Sequence, residues 1–150
     1  MTKLNVSLTQ SMPFPRERVF AALVDPGCIQ KCIDGCDQIV ATGPDRYEAR
    51  LRLSAASAGA IVANVQLSDR NPPESCTLII ETKEPPNLAQ ATFHIRLLPQ
   101  GTGSELQCAV EAQVGGLLSL VGSKRLESMF QKAMADFFRK LGEVITATPA

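Results

Sequence analysis

Residues 28–36 read CIQKCIDGC and hold three of the chain's five cysteines. Thiols at that density could hold zinc or an iron–sulfur cluster, or run thiol–disulfide exchange. The spacing is Cys-x3-Cys-x3-Cys, not the Cys-x2-Cys pairs typical of zinc. The remaining cysteines, Cys76 and Cys108, and the single histidine, His94, do not complete a convincing ligand set. Cys28 and Cys32 share one helical face only where a helix stays regular, and Gly35 interrupts it before Cys36. The expectation is therefore no bound metal and packing thiols. An odd number of cysteines in a reducing compartment reads as free thiols rather than bridges.

Two other side chains could do chemistry. His94 falls with Thr92 and Arg96 on the face of an alternating run opposite Phe93 and Ile95, which places it on a wet surface, away from any nucleophile it could serve as base. Tyr47 aligns with an inward set. Its hydroxyl would either hydrogen-bond a guest's carbonyl or be satisfied by backbone or water near the strand end. Inward carboxylates are absent from the pattern, so a paired acid/base site has no support and no catalytic residue is assigned.

The elements that must position these residues follow from periodicity. Residues 3–9 alternate, with Leu4, Val6 and Leu8 on one face, and Pro13 and Pro15 end the strand. Pro15 can open a short helix, PRERVFAALVD, that Asp25-Pro26 stops, and CIQKCID forms a second short helix closed by Gly35. From Asp37 to Val114 a period of two returns several times between turn signals. The clearest runs are Tyr47, Ala49, Leu51 and Leu53 against Glu48, Arg50 and Arg52, and Leu106, Cys108, Val110, Ala112 and Val114 against Gln107, Glu111 and Gln113. Such alternation over short connections predicts antiparallel strands with one wet face.

The other face is covered from the end of the chain. Leu126, Phe130, Ala133, Phe137, Leu141 and Val144 recur at helical steps, with Met129, Met134 and Ile145 beside them. A helix from about Leu118 to Ile145 would be roughly 40 Å long, enough to cross the sheet. Leu117, Leu118, Leu120 and Val121 make a short apolar patch at its entry. Lys124, Arg125, Lys132, Arg139 and Lys140 read as its solvated face, or as a docking strip. The fold class is α+β: a curved antiparallel sheet of about seven strands wrapped around a long C-terminal helix, with two short helices after strand 1, in one domain spanning residues 1–150.

The inward face is lined by small residues, Ala49, Ala63, Ala91, Cys108 and Ala112. Close packing requires something to fill what they leave empty. A guest in an apolar cavity would do so, and the candidate lining is Tyr47, Ala49, Leu51, Ala63, Phe93, Cys108 and Val110 from the sheet, with Met129, Phe130, Ala133 and Phe137 from the helix. The residues leave a second reading open, in which Phe93, Met129, Phe130, Met134 and Phe137 reach in and fill the space themselves.

Composition bounds the partners. At 150 residues and a formal charge of zero, with Lys and Arg scattered, the chain has a sizeable core and no electrostatic footprint for nucleic acid or anionic lipid. The N-terminal residues lack the continuous apolar run of a signal peptide, and no stretch has the roughly 20 apolar residues of a membrane span. A cytoplasmic protein is expected.

The stretch PRERVFAALVDPGCIQKCIDGCDQI resembles the first helices of the carbon monoxide dehydrogenase CoxG family, with Pro15, Val19, Phe20, Leu23, Asp25, Pro26, Cys32, Ile33, Gly35 and Cys36 at matching positions. VGGLLSLVGSKRLESMFQKAMADFF is similar to that family's entry into its last helix, with Gly116, Gly122 and Phe137 in register, and Tyr47 to Glu74 is a third match. The resemblance implies the START-like helix-grip fold and an apolar cavity between sheet and helix. It further implies an accessory role beside a carbon monoxide dehydrogenase-type molybdenum hydroxylase: tethering it to the membrane, or carrying a lipophilic electron acceptor. No intrinsic cofactor is expected; a quinone or a lipid is the candidate guest. Membrane contact is expected to be at most transient at the inner face, because some longer relatives carry a C-terminal extension able to attach and this sequence ends at Ala150. A homodimer is left open.

Three departures from the family pattern stand out: Asp34 in place of a proline, SAASAG in place of a Gly-Pro hairpin, and EPPNLAQA in place of a glycine-rich segment; the last two fall at loops expected to border the cavity mouth and so bear on the guest. Two other readings stay open. One is a polyketide cyclase-like enzyme of the same superfamily, which would need inward titratable groups. The other is a ligand-free docking adaptor with a filled core.

Overall fold

The computed structural model describes residues 2–33, 36–51, 61–82, 87–116, 120 and 122–147. Asp34, Gly35, the SAASAG segment, most of EPPN, Leu53, Leu117, Leu118 and Val121 lie outside the described residues, as does the side chain of Leu51.

Strand β1 (Thr2–Met12) buries Leu4, Val6 and Met12 and exposes Lys3, Asn5, Ser7 and Thr9. Pro13 and Pro15 then turn the chain into α1 (Arg16–Leu23). Pro15 stands one position before the first helical residue, with ψ 156°; its carbonyl accepts from the Arg18 and Val19 amides at 3.1 and 3.2 Å. Asp25 ends α1 and starts α2 (Pro26–Cys32), its carboxylate accepting from the Gly27 amide at 2.9 Å while Pro26 occupies the first turn. Aspartate at an N-cap and proline just inside are the residues that the unpaired first-turn amides favour.

Six strands follow: β2 (Cys36–Gly43), β3 (Arg46–Leu51), β4 (Ile61–Asn71), β5 (Ser75–Thr82), β6 (Asn87–Gln100) and β7 (Gly103–Gly116). Each pairs antiparallel with the next, and β1 pairs with β7, giving the sheet order β1-β7-β6-β5-β4-β3-β2. The seven strands match the number expected. Glycine is favoured at Gly101, where the tight β6–β7 turn takes a φ of 59°, a left-handed conformation that glycine adopts most readily. Asp45 in the β2–β3 turn has a φ of 54°, a conformation short polar side chains tolerate. The two edge strands each have a carbonyl taken by a helix side chain: Gln131 donates to Ser7 O at 3.1 Å and Gln30 to Asp37 O at 3.0 Å.

Helix α3 (Ser123–Ala147) closes the fold. It starts later than the periodicity suggests, because Gly122 has a φ of 96°, which a right-handed helix cannot continue; the Gly122 carbonyl accepts the first helical bond from the Leu126 amide at 3.0 Å. The buried stripe is Leu126, Met134, Phe138, Leu141 and Ile145, with Phe130, Phe137 and Val144 half-buried beside it. Two expected members are corrected: Met129 is 53% exposed and Ala133 is exposed. The stripe advances mainly in steps of four, so it turns past both, and Phe138 takes the inward place. α3 is tied to α1 by Arg18, whose guanidinium lies 5.2 Å from the Phe14 ring centroid and donates to Ile145 O at 3.0 Å.

Candidate functional site

The strand register sets which side chains meet on the inner face. One row across the sheet runs Val114, Ala89, Thr82, Ala63, Ala49, Ile39. The next runs Leu4, Ala112, Ala91, Ile80, Val65, Tyr47, and the next Val6, Val110, Phe93, Leu78, Leu67. Alanines therefore sit side by side across neighbouring strands, and the space above them must be filled by something else.

On one half of the sheet α3 fills it. Leu4, Val6, Ile95, Leu97, Leu106, Cys108, Val110, Ala112 and Val114 form one buried cluster with Leu126, Met134, Phe138, Leu141 and Ile145. On the other half a second cluster forms, with Ala49, Val65, Leu67 and Leu78 buried and Val24, Cys36, Ile39, Tyr47, Ile80 and Phe93 only partly so. Val24 and Phe93 belong to both. The side chains of this second cluster carry no formal charge, and their polar atoms are the Tyr47 hydroxyl and the Cys36 thiol. Cys36 Sγ lies 3.7 Å from Gln38 O. The inward hydroxyl of Thr82 is committed to Ala89, accepting from its amide at 3.1 Å.

The structure thus divides the residues the sequence assigns to a cavity. Tyr47, Ala49 and Phe93 share the second cluster, and Ala63, fully buried, pairs with Ala49. Cys108, Val110, Phe130 and Phe137 belong to the first, where Phe137 meets the Phe138 ring edge-on at 5.2 Å. Met129 and Ala133 face solvent. Ile39, Val65, Leu67, Leu78 and Ile80 join the second cluster without having been expected there, although the alternation in IVANVQLSD points to Val65 and Leu67.

His94 is exposed on the outer face, across the sheet from Cys76 and Cys108. The cysteine cluster is split as well: Cys28 and Cys32 pack with the first apolar cluster and Cys36 with the second. All five are free thiols. Burial pushes Cys32 and Cys76 up to about 11 and Cys108 up to about 12. Burial also raises Cys28, helped by the neighbouring Asp25 carboxylate, and Cys36. Neutral thiols are weak nucleophiles and weak metal ligands. Among the described residues no group of three or more His, Cys, Asp or Glu side chains is placed to hold a metal ion, and no helix is long and apolar enough to cross a membrane.

Two surface depressions lie elsewhere. One, of about 440 Å³, runs between the end of β1 and the last turns of α3, lined by Gln10, Ser11, Met12, Pro13, Phe14, Arg139, Gly142, Glu143, Thr146 and Ala147. The other, of about 250 Å³, is on the outer sheet face among Lys3, Asn5, Gln90, Thr92, Glu111 and Gln113.

A family model described as carbon monoxide dehydrogenase CoxG matches residues 9–146. Among solved structures, a conserved protein from Geobacillus kaustophilus is 27% identical with a TM-score of 0.86, covering 97% of this chain and 96% of that one. A protein from Chromobacterium violaceum is 16% identical with a TM-score of 0.73, covering 94% and 96%. Ara h 8.0201 is 13% identical with a TM-score of 0.71, covering 98% and 100%. These last two share the fold, which is the helix-grip arrangement of a curved sheet around a C-terminal helix. No curated protein matches the chain by sequence.

Proposed function

The chain belongs to the carbon monoxide dehydrogenase CoxG family, and on that premise we propose that it is a non-catalytic accessory protein of a carbon monoxide dehydrogenase-type molybdenum hydroxylase. In this reading it holds a lipophilic small molecule, quinone-like or lipid-like, against the inner face of its sheet. It works in a reducing cytoplasmic compartment, with transient contact at the inner face of the membrane. The observation that carries the ligand half of the reading is the divided core. Half of the inner face is sealed by α3, whereas Ile39, Tyr47, Ile80 and Phe93 over the other half remain partly accessible.

That half suits an uncharged guest. Removing apolar surface from water contributes about 25 cal/mol per Å², less the cost of association, so a planar or branched body would supply the affinity. The floor residues Ala49 and Ala63 are small and buried, so a guest would enter by displacing the partly accessible side chains around them. Tyr47 offers the hydroxyl that would orient a carbonyl, as the few polar groups of apolar sites do. Redox chemistry then belongs to the partner enzyme, in keeping with protonated, buried thiols on this chain.

The test has two arms. Organic extraction of the purified protein followed by mass spectrometry, with titration of added quinone against tyrosine fluorescence, is expected to reveal a retained or acquired apolar guest; the absence of both retention and saturable uptake would sink the ligand reading. Co-purification with a molybdenum hydroxylase of this type is expected from the accessory reading, and its failure with both proteins folded would sink that one separately.

A further inference from the structure

Strand β2 is one of the two sheet edges, and it is the less guarded of them. The other edge, β1, carries Lys3, and α3 reaches across to it through Gln131. On β2 the cover stops early. Gln30 takes the Asp37 carbonyl, and beyond it the stretch QIVATG, residues 38–43, holds neither a charged residue nor a proline. Native edges are normally blunted by such residues, because an open row of backbone amides and carbonyls is a template for another strand. The side chains agree with an open edge: Val40 is 46% exposed on the outer face, and Ala41 is exposed although it stands opposite Tyr47 on the inner one.

The sequence of the edge selects the strand that fits it. Register shifts between Cys36 and Gln38 and between Ala41 and Gly43 bound a regular stretch from Gln38 to Ala41. A second copy of that stretch can run antiparallel to the first about a two-fold axis, with directly opposite residues sharing a face. With the axis at Val40, valine meets valine on the outer face, Ile39 meets Ala41 twice on the inner face, and Gln38 meets Thr42 at the ends. Asp37 then stands opposite Gly43, clear of its own counterpart. Moving the axis to Ile39 sets Gln38 against Val40, and moving it to Ala41 sets Ile39 against Gly43 and Val40 against Thr42. The Val40 register is the one that matches apolar to apolar, large to small and polar to polar, the pairs that stabilise neighbouring strands.

We infer that β2 is a self-association edge, pairing with β2 of a second copy in this register. The two sheets then run on as one, and Ile39 of each copy lies beside Ala41 of the other, at the margin of the half-open cluster that includes Tyr47. Association thus extends the apolar inner face where its own chain covers it least, and it requires no guest. A ladder this short buries little surface, so the dimer is weak and concentration-dependent.

Sedimentation equilibrium on the full chain tests this. The wild type is expected to show a reversible monomer–dimer equilibrium. Val40→Lys alone and Val40→Asp alone each set like charges against each other on the axis and should weaken dimerisation roughly tenfold. An equimolar mixture of the two variants should associate again, because a residue on the axis meets its own counterpart. Thermal melts of both variants should stay near wild type, since the side chain is exposed. Hydrogen exchange followed against protein concentration should show the amides of residues 38–42 slowing as dimer forms. A chain that stays monomeric at all concentrations, which would leave the edge to a foreign strand, overturns the proposal. So does a dimer that ignores both charges, a mixture that is not rescued, or slowing confined to other strands.

Discussion

Gly103 and Ser104, at the start of β7, show how much a single position can carry. A Cβ on Gly103 would clash with the Met12 carbonyl oxygen, a backbone atom with little freedom to retreat. Ser104 is fully buried and donates from its hydroxyl to Phe14 O at 2.8 Å. Together they fasten the start of β7 to the exit of β1. Ser104→Ala removes that buried hydrogen bond and should cost about 1–3 kcal/mol. Gly103→Ala should cost about 3 kcal/mol, the upper end for forced overpacking. Urea unfolding of both variants checks the pair; a Gly103→Ala protein as stable as wild type would show that the strand end moves aside freely. Neither role is legible in the sequence, because each depends on a neighbour some 90 positions away. The cysteines are better indicated. Cys32, Cys76 and Cys108 are 2%, 3% and 2% exposed, so brief alkylation at about pH 8 should modify Cys28 and Cys36 first, the others reacting only after unfolding. Peptide mass mapping would read this directly, and early labelling of Cys108 would contradict the packing described.

At the scale of elements, α3 is where the apolar pattern both succeeds and slips. Its amphipathic period is plain, and the half-buried Phe130, Phe137 and Val144 lie where the pattern puts them. What periodicity cannot fix is rotation about the axis. A stripe that includes Ala133 and one that includes Met134 differ by one residue, and only the sheet beneath selects between them. Met129, 53% exposed, separates the two rotations experimentally, with Leu141, fully buried and inward in both, as the reference. Leu141→Ala should cost about 2–5 kcal/mol by opening a cavity, while Met129→Ala should stay within about 0.5 kcal/mol, as exposed substitutions do. Comparable losses at both positions would argue for the other rotation. The strands show the complementary case: alternation at period two fixes which face each residue takes once the sheet is assembled, so Cys108, Val110, Ala112 and Val114 lie inward together. The start of the helix falls a few residues later than its pattern because a glycine with positive φ is indistinguishable, in a string of letters, from a tolerated helical one.

For the molecule as a whole, the order of elements is readable in the sequence, but not the division of its core. Small residues on an inward face say that volume is missing; they do not say whether the covering helix lies over all of it, and here α3 packs the β1, β7 and β6 side while the second cluster keeps partly accessible apolar groups. The buried thiols make the integrity of that core readable through pH. Cys32, Cys76 and Cys108 ionise in the unfolded chain near the ordinary value of 9.0, but burial raises them to about 11, 11 and 12 in the folded one. Above pH 9 the unfolded state therefore holds fewer of these protons than the native state, and stability must fall as pH rises. The contribution is intact below pH 9 and is lost progressively until the folded thiols ionise near pH 11 to 12. Thermal melts from neutral pH upward should show this decline, and Cys108→Ala should begin less stable yet lose less over the same alkaline interval, since its unfolded state has one proton fewer to release. If the variant and the wild type decline in parallel, Cys108 ionises in the native protein as readily as in the unfolded chain, and solvent reaches the centre of the sheet.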